Sequence, residues 1–116
     1  MLYIFLLYSS PEAWAASSRP EEEVLREHGV LMRELEAAGK YRTSNALGPA
    51  ETATTVRVRE GKTLLVDGPF AETKEQLLGY YLVDAKNLDD AVSIGARIPD
   101  AAVGSVEIRP IREVGV

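Results

Sequence analysis

Two short segments of this sequence are apolar on both of their faces, and they constrain the fold more than any other feature. Leu2–Tyr8 and Leu77–Val83 are rich in β-branched and aromatic side chains, which is typical of strands. Because adjacent residues of a strand point to opposite faces, a sheet built on these segments carries apolar side chains on both sides. Both sides of that sheet therefore need to be covered.

The rest of the chain alternates between helix and strand patterns. The predicted elements are, in chain order, a strand at Leu2–Tyr8, a short helical turn carrying Trp14, a helix at about Arg19–Ala38, a strand at Tyr41–Leu47, a hairpin of Thr54–Glu60 and Lys62–Val66, a strand at Leu77–Val83, a helix capped by Asn87 and a strand at Ser105–Ile111. Strands interleaved with two helices predict an α+β, ferredoxin-like βαββαβ fold with an inserted β-hairpin. The length of 116 residues predicts a single domain, 1–116.

Two helices cover only one face of such a sheet. The second apolar face is covered either by the long loops of the same chain or by a second copy whose sheet packs face to face with the first. An uncovered face of this kind is larger than the apolar patches that monomers usually expose. We therefore expect a homodimer.

Composition excludes several classes of function. The chain has no cysteine and one histidine, which excludes thiolate catalysis, disulfides, Cys-ligated metals and a multi-histidine metal site within one chain. A net charge of −5 gives no sign of a nucleic-acid-binding face. The apolar start of the chain is too short to cross a bilayer, and the first basic residue is Arg19, unlike a signal peptide. We expect a cytoplasmic protein that binds no membrane, cofactor or metal.

The single histidine, His28, lies on the apolar stripe of the first long helix. Ser18 and Glu21 have the spacing of a capping box at the start of this helix. Val24, Leu31 and Leu35 share one side of the helix at about 100° per residue, and His28 falls within the same sector. The imidazole is thus predicted to face the sheet. There it is either a buried side chain satisfied by a carbonyl or a tyrosine hydroxyl, or a functional group.

A second distinctive segment is Asp67-Gly68-Pro69-Phe70. Asp-Gly-Pro predicts a sharp bend at the end of a strand, since glycine adopts positive φ and proline fixes φ. Asp67 either caps the free N–H groups of this bend or presents a carboxylate at the edge of a cleft. Phe70 is expected to turn inward as an anchor.

The string Asp67-Gly68-Pro69-Phe70-Ala71-Glu72-Thr73-Lys74-Glu75, with the preceding Ala50–Arg57 run, resembles the DGPF-domain branch of the YCII-related (YciI-like) family. Gly79-Tyr80-Tyr81, Leu88-Asp89-Asp90-Ala91 and Val106-Glu107-Ile108-Arg109-Pro110 also fit this family. The resemblance covers nearly the whole chain. It implies a ferredoxin-like α+β fold that dimerises into an α/β-barrel-like assembly. It also implies an association with alternative sigma factors, which in genomes often accompany DGPF proteins.

In the YciI branch of that family, a His and an Asp facing a cleft have been proposed as a catalytic pair. Carried over to this sequence, the pair is His28 and Asp67. A carboxylate bound to one imidazole nitrogen fixes the tautomer and makes the other nitrogen more basic.

Two hypotheses about function follow. In the first, the chain is a small cofactor-independent enzyme in which His28 is the acid or base and Asp67 orients it. A small, partly apolar molecule then binds in a pocket to which Phe70, Tyr80 and Tyr81 contribute. In the second, the chain is a non-catalytic dimeric module that binds a ligand or has a regulatory, sigma-factor-associated role, and His28 and Asp67 are structural.

Overall fold

The computed structural model describes residues 1–71 and 73–113; Glu72, part of the DGPF string, lies outside this range. Within these residues, six strands and four helices follow one another. They are β1 (Leu2–Ser9), α1 (Pro11–Ser17), α2 (Glu21–Ala37), β2 (Tyr41–Ala46), a 3-10 turn (Ala50–Thr52), β3 (Thr54–Arg59), β4 (Lys62–Asp67), β5 (Gln76–Asp84), α3 (Leu88–Gly95), α4 (Asp100–Val103) and β6 (Ser105–Pro110).

The main sheet has four antiparallel strands in the order β2-β5-β1-β6, and β3 and β4 form a separate two-stranded sheet. Strand β1 lies in the middle, where Phe5 is opposite Tyr81 of β5 on one side and Ile108 of β6 on the other. Without the hairpin, this is the strand order of a ferredoxin-like fold. The predicted α+β class and the inserted hairpin are thus confirmed.

Strand β1 contributes one side of the hydrophobic core. Its residues alternate between half-buried and buried positions, so Phe5 and every second residue on either side of it face the helices. Leu31 and Leu35 of α2 and Ile94 of α3 pack in the same core. Burying a side chain of this size stabilises the fold by about 1.5–3 kcal/mol, so the sheet and both helices depend on one another.

The start of α2 differs from the prediction. The helix begins after Pro20, which makes no side-chain cap, and Ser18 instead ends α1 with a positive φ of 55°. The predicted capping box of Ser18 and Glu21 is therefore wrong, because Ser18 serves the preceding helix. At the other end, Gly39 has the positive φ of a helix-terminating glycine, and the backbone N–H of Lys40 donates to the Leu35 carbonyl. The predicted end of this helix, at about Ala38, is confirmed.

The face of the sheet away from the helices carries apolar side chains. Ile4, Leu6 and Leu82 point to this side, and they are only half-buried within one chain. The hairpin is more exposed still: Val56 and Leu65, paired across β3 and β4, keep 59% and 68% of their surface. The described residues of one chain therefore leave apolar surface uncovered both on this face of the sheet and on the hairpin.

No helix in the described part of the chain is long and apolar enough to span a membrane.

The start of α3 is held by a small polar cluster. The side chain of Asn87 accepts a hydrogen bond from the backbone N–H of Asp90, which confirms the predicted cap. The Asp90 carboxylate in turn accepts from the backbone N–H of Lys86 at 2.9 Å and binds Lys40 Nζ at 3.0 Å. The Lys86 hydrogen bond, followed by that of Lys40, holds the pKa of Asp90 below its ordinary value.

We expect Asp90→Asn to lower the free energy of unfolding at neutral pH. A depressed pKa means that the stabilisation is complete above the ordinary pKa of aspartate and is lost as the pH falls through the lowered value. Urea unfolding of wild type and variant should therefore give a difference that shrinks in acid. Asp89→Asn, in the same first turn of α3, is the matched control and is expected to cost less. The proposed role of Asp90 would be contradicted if both variants lowered the free energy of unfolding equally. It would also be contradicted if the difference between wild type and Asp90→Asn persisted in acid.

Candidate active site

His28 lies where the sequence predicted it, on the side of α2 that faces the sheet. Its Nδ1 is 2.5 Å from the hydroxyl oxygen of Tyr81, and the two rings are stacked with centroids 5.8 Å apart. Its Nε2 is 3.3 Å from Oδ1 of Asp100. Tyr81 comes from β5 and Asp100 from α4, so three separate elements meet at one imidazole.

The carboxylate of Asp100 is almost fully buried. The residue keeps 4% of its surface, and its Oδ1 accepts no well-aligned hydrogen bond from any described group. The His28 Nε2 is thus within ion-pair distance of the carboxylate, but the two atoms do not have the geometry of a hydrogen bond. A buried carboxylate is costly unless a positive charge is near. His28 supplies that charge when it is protonated.

Tyr81 holds the other side of the imidazole. Burial, followed by the nearby charge of Asp100, raises the pKa of Tyr81 above its ordinary value, so this side chain stays a neutral phenol. A phenol both donates and accepts hydrogen bonds. It can therefore bind Nδ1 in either protonation state of the ring and keep the ring in place while the ring gains or loses a proton.

Asp100 is positioned by a close backbone approach. It opens the one-turn helix α4, and the N–H of Gly104 donates to its carbonyl oxygen at 2.7 Å. Gly104 lies directly against the end of β1, since a Cβ atom at this residue would be 2.0 Å from the carbonyl oxygen of Tyr8. Only glycine permits that approach. The contact brings α4, and with it Asp100, onto the sheet next to His28.

All three side chains line one cavity between α2 and the sheet, with a volume of about 740 Å³. Drug-sized ligands bind in cavities of about 300–1,000 Å³. Most of the remaining wall is apolar: Trp14, Val24, Leu25, Met32 and Leu78 contribute to it. His28 keeps 20% of its side-chain surface, so its ring is open to this cavity rather than sealed in the core.

The structure does not bring Asp67 to His28. Asp67 is the last residue of β4, opposite Thr54 in the hairpin, is exposed, and lines neither this cavity nor the second one described below. The bend after it has the predicted form: Gly68 has a φ of 98°, and its N–H donates to the Ala53 carbonyl. Within one chain, the carboxylate beside His28 belongs to Asp100.

The three residues predicted to form a pocket are divided between two cavities. Tyr80 and Tyr81 both contribute to the wall of the His28 cavity. Phe70 is 79% exposed and does not turn inward as an anchor; it lies in a second cavity of about 950 Å³ near the base of the hairpin. Pro69, also in that wall, places the DGPF bend at the second cavity.

Asp100 was not among the site residues predicted from the sequence. A signal was present: Asp100 is the only charged residue between Arg97 and Glu107, in an otherwise apolar stretch. An acid in such a stretch tends to be buried, and a buried acid needs a partner. Its distance from His28 along the chain gave no sign that the two meet.

Among the described residues, no group of three or more His, Cys, Asp or Glu side chains is arranged to hold a metal ion.

Comparison with known proteins identifies the family. The model of the YCII-related domain matches residues 1–115. The chain belongs to the YCII-related family. A relative from Rhizobium meliloti (strain 1021), described only as an uncharacterised protein, is 41% identical over 114 residues, which is 96% of this chain and 92% of the relative. This YCII-related chain thus matches its family over nearly its full length, while its assignment to the DGPF branch stays a prediction.

Proposed function

We propose that this YCII-related protein is a small cofactor-independent enzyme that moves a proton on a small molecule, with His28 as the acid or base. The observation that carries the proposal is the Tyr81–His28–Asp100 contact in the wall of an apolar cavity. An imidazole between a phenol and a buried carboxylate, open to a cavity, is the arrangement that general acid–base catalysis needs.

Each of the three side chains has a role in the proposed proton transfer. As a base, neutral His28 donates Nδ1–H to the Tyr81 oxygen and takes the proton of the bound molecule at Nε2. The imidazolium that forms is stabilised by the Asp100 carboxylate. As an acid, His28 returns that proton from Nε2 by the reverse path. Because Nε2 makes no hydrogen bond to Asp100, this nitrogen is the one assigned here to exchange a proton with the ligand.

In this proposal Asp100 has the role that the resemblance to the YciI branch implies for Asp67. The carboxylate acts through His28 and is therefore a positioning and charge-stabilising residue. A role for Asp67 in the reaction stays a prediction. The contacts within one chain do not support it, because Asp67 lies in the hairpin and not in the cavity wall.

Proton transfer by His28 can be measured without knowing the natural substrate. We expect wild type to speed the exchange of the α protons of 2-tetralone, an uncharged bicyclic ketone, in D₂O, followed by proton NMR. His28→Gln should lower the rate by about 100-fold or more, the usual contribution of a general acid or base. Asp100→Asn should lower it by a smaller factor, because the imidazolium loses its stabilising charge.

Asp67→Asn is the discriminating comparison and should keep the wild-type rate. If Asp67→Asn reduces the exchange and Asp100→Asn does not, the carboxylate is misassigned. If wild type and His28→Gln exchange the ketone equally, the proposed activity is wrong, and a non-catalytic binding module becomes the better description of the chain.

We also propose that two copies of the chain pack through the outer face of the sheet. Support comes from Ile4, Leu6 and Leu82, which are apolar, half-buried and on the side away from the helices. Sheets packed face to face bury such side chains in one shared layer. The exposed apolar residues of the hairpin, Val56 and Leu65, extend the surface that a second copy would bury.

The dimer can be tested by sedimentation equilibrium. Leu6→Lys places a charge in the centre of the proposed interface and should raise the dimer dissociation constant by about 100-fold or more, or about 3 kcal/mol. Val92→Lys is the control, because Val92 is a 51% exposed residue of α3 on the opposite side of the sheet. A wild-type protein that sediments as a monomer would contradict the proposal, as would equal weakening by both variants.

A further inference from the structure

We infer that the His28 cavity takes an uncharged, mainly apolar molecule and discriminates against carboxylates and other anions. The inference rests on the proposed use of this cavity as the reaction site, and it specifies in addition that the ligand is uncharged. It is drawn from the ionisable side chains that line the cavity, taken together with their partners.

Two carboxylates belong to the described wall of the cavity: Asp100 at its buried side and Glu21 from the first turn of α2. Among the described lining residues, the only cations are Arg19 and, when it is protonated, His28. Protonated His28 is already opposite Asp100 at 3.3 Å, so that pair has no net positive charge with which to attract an anion.

Arg19 is also engaged. Its guanidinium is 2.5 Å from a carboxylate oxygen of Glu27 and 3.8 Å from one of Glu23. The hydrogen bond from Arg19 holds the pKa of Glu27 below its ordinary value, which means that Glu27 stays ionised and paired. An anion that approached Arg19 would have to displace these two carboxylates.

An anion inside the cavity would thus lose its hydration and face uncompensated negative charge. Repulsion between like charges is stronger near a buried group than in water. An uncharged molecule has neither cost, and Trp14, Met32 and Leu78 offer it an apolar wall. The cavity is therefore suited to a neutral apolar ligand on which His28 can place or remove a proton.

Two probes that share one ring system separate the effect of charge from that of shape: 2-naphthalenemethanol, which is neutral, and 2-naphthoate, which is an anion. The chain has one tryptophan and one histidine, and both side chains line the cavity. The NMR signals of the Trp14 indole and the His28 imidazole therefore report binding in this cavity without ambiguity.

We expect the alcohol to shift both signals in a saturable way and to bind at least about tenfold more tightly than the carboxylate. Asp100→Asn should narrow this difference, because one of the repelling charges is removed. Leu25→Trp, at a 61% exposed position of the cavity wall, should weaken binding of the alcohol by filling the space without disturbing the core. Because this variant has a second indole, its binding is followed by the His28 imidazole signal alone.

Equal or tighter binding of 2-naphthoate would overturn the inference, and so would the absence of any shift with the alcohol. These results are separable from the fate of the proposed activity. If the carboxylate binds better while ketone exchange still depends on His28, only the charge preference is wrong. If the alcohol binds as expected but no exchange depends on His28, the cavity is a neutral-ligand site and the proposed enzyme is wrong.

Discussion

The packing of β1 against the two longer helices is the interaction on which the rest of the molecule depends. Phe5, with no exposed surface, lies at the centre of the core, and β1 pairs with a strand on each side. The inward side chains of β1 pack against the helices, so α2 buries its apolar stripe in only one orientation. That orientation turns His28 toward Tyr81 on the neighbouring strand.

The position of Asp100 depends on a second contact of β1, at the C-terminal end of the strand. Gly104 packs directly against the Tyr8 carbonyl, which holds α4 against the sheet. Asp100 is the first residue of α4. A carboxylate with 4% of its surface exposed is unfavourable in the core without a cation nearby. The structure places His28 beside it, at the wall of the cavity. Stability and proposed chemistry are thus coupled, because the group that, when protonated, compensates Asp100 is the one that would exchange a proton.

Much of the fold was predictable from local patterns. The two strands that are apolar on both faces, the cap at Asn87 and the end of α2 near Ala38 are each specified by a few neighbouring residues, and the structure confirms them. Ser18 shows the limit of such reasoning, because its side chain suits either the end of α1 or the start of α2. The choice depends on the turn between the helices, which no local pattern fixes.

The site was predictable only in part. Helical periodicity placed His28 on the face toward the sheet, since that inference needs only one element. The carboxylate beside it could not be found in the same way, because Asp67 and Asp100 are both far from His28 along the chain. Which of them lies beside the imidazole depends on how the chain packs. The close approach of Gly104 to Tyr8 places Asp100, and not Asp67, beside His28. This approach exists only in the packed chain and leaves no local pattern in the sequence.

The pairing of His28 with Asp100 is tested most directly by the NMR pH titration of the single imidazole in wild type, Asp100→Asn and Asp67→Asn. If Asp100 stabilises the imidazolium, half-protonation of His28 occurs at a lower pH in Asp100→Asn than in wild type, and Asp67→Asn titrates as wild type does. If Asp100→Asn leaves the titration unchanged, or if Asp67→Asn is the variant that shifts the pH of half-protonation, the pairing of His28 with Asp100 is wrong.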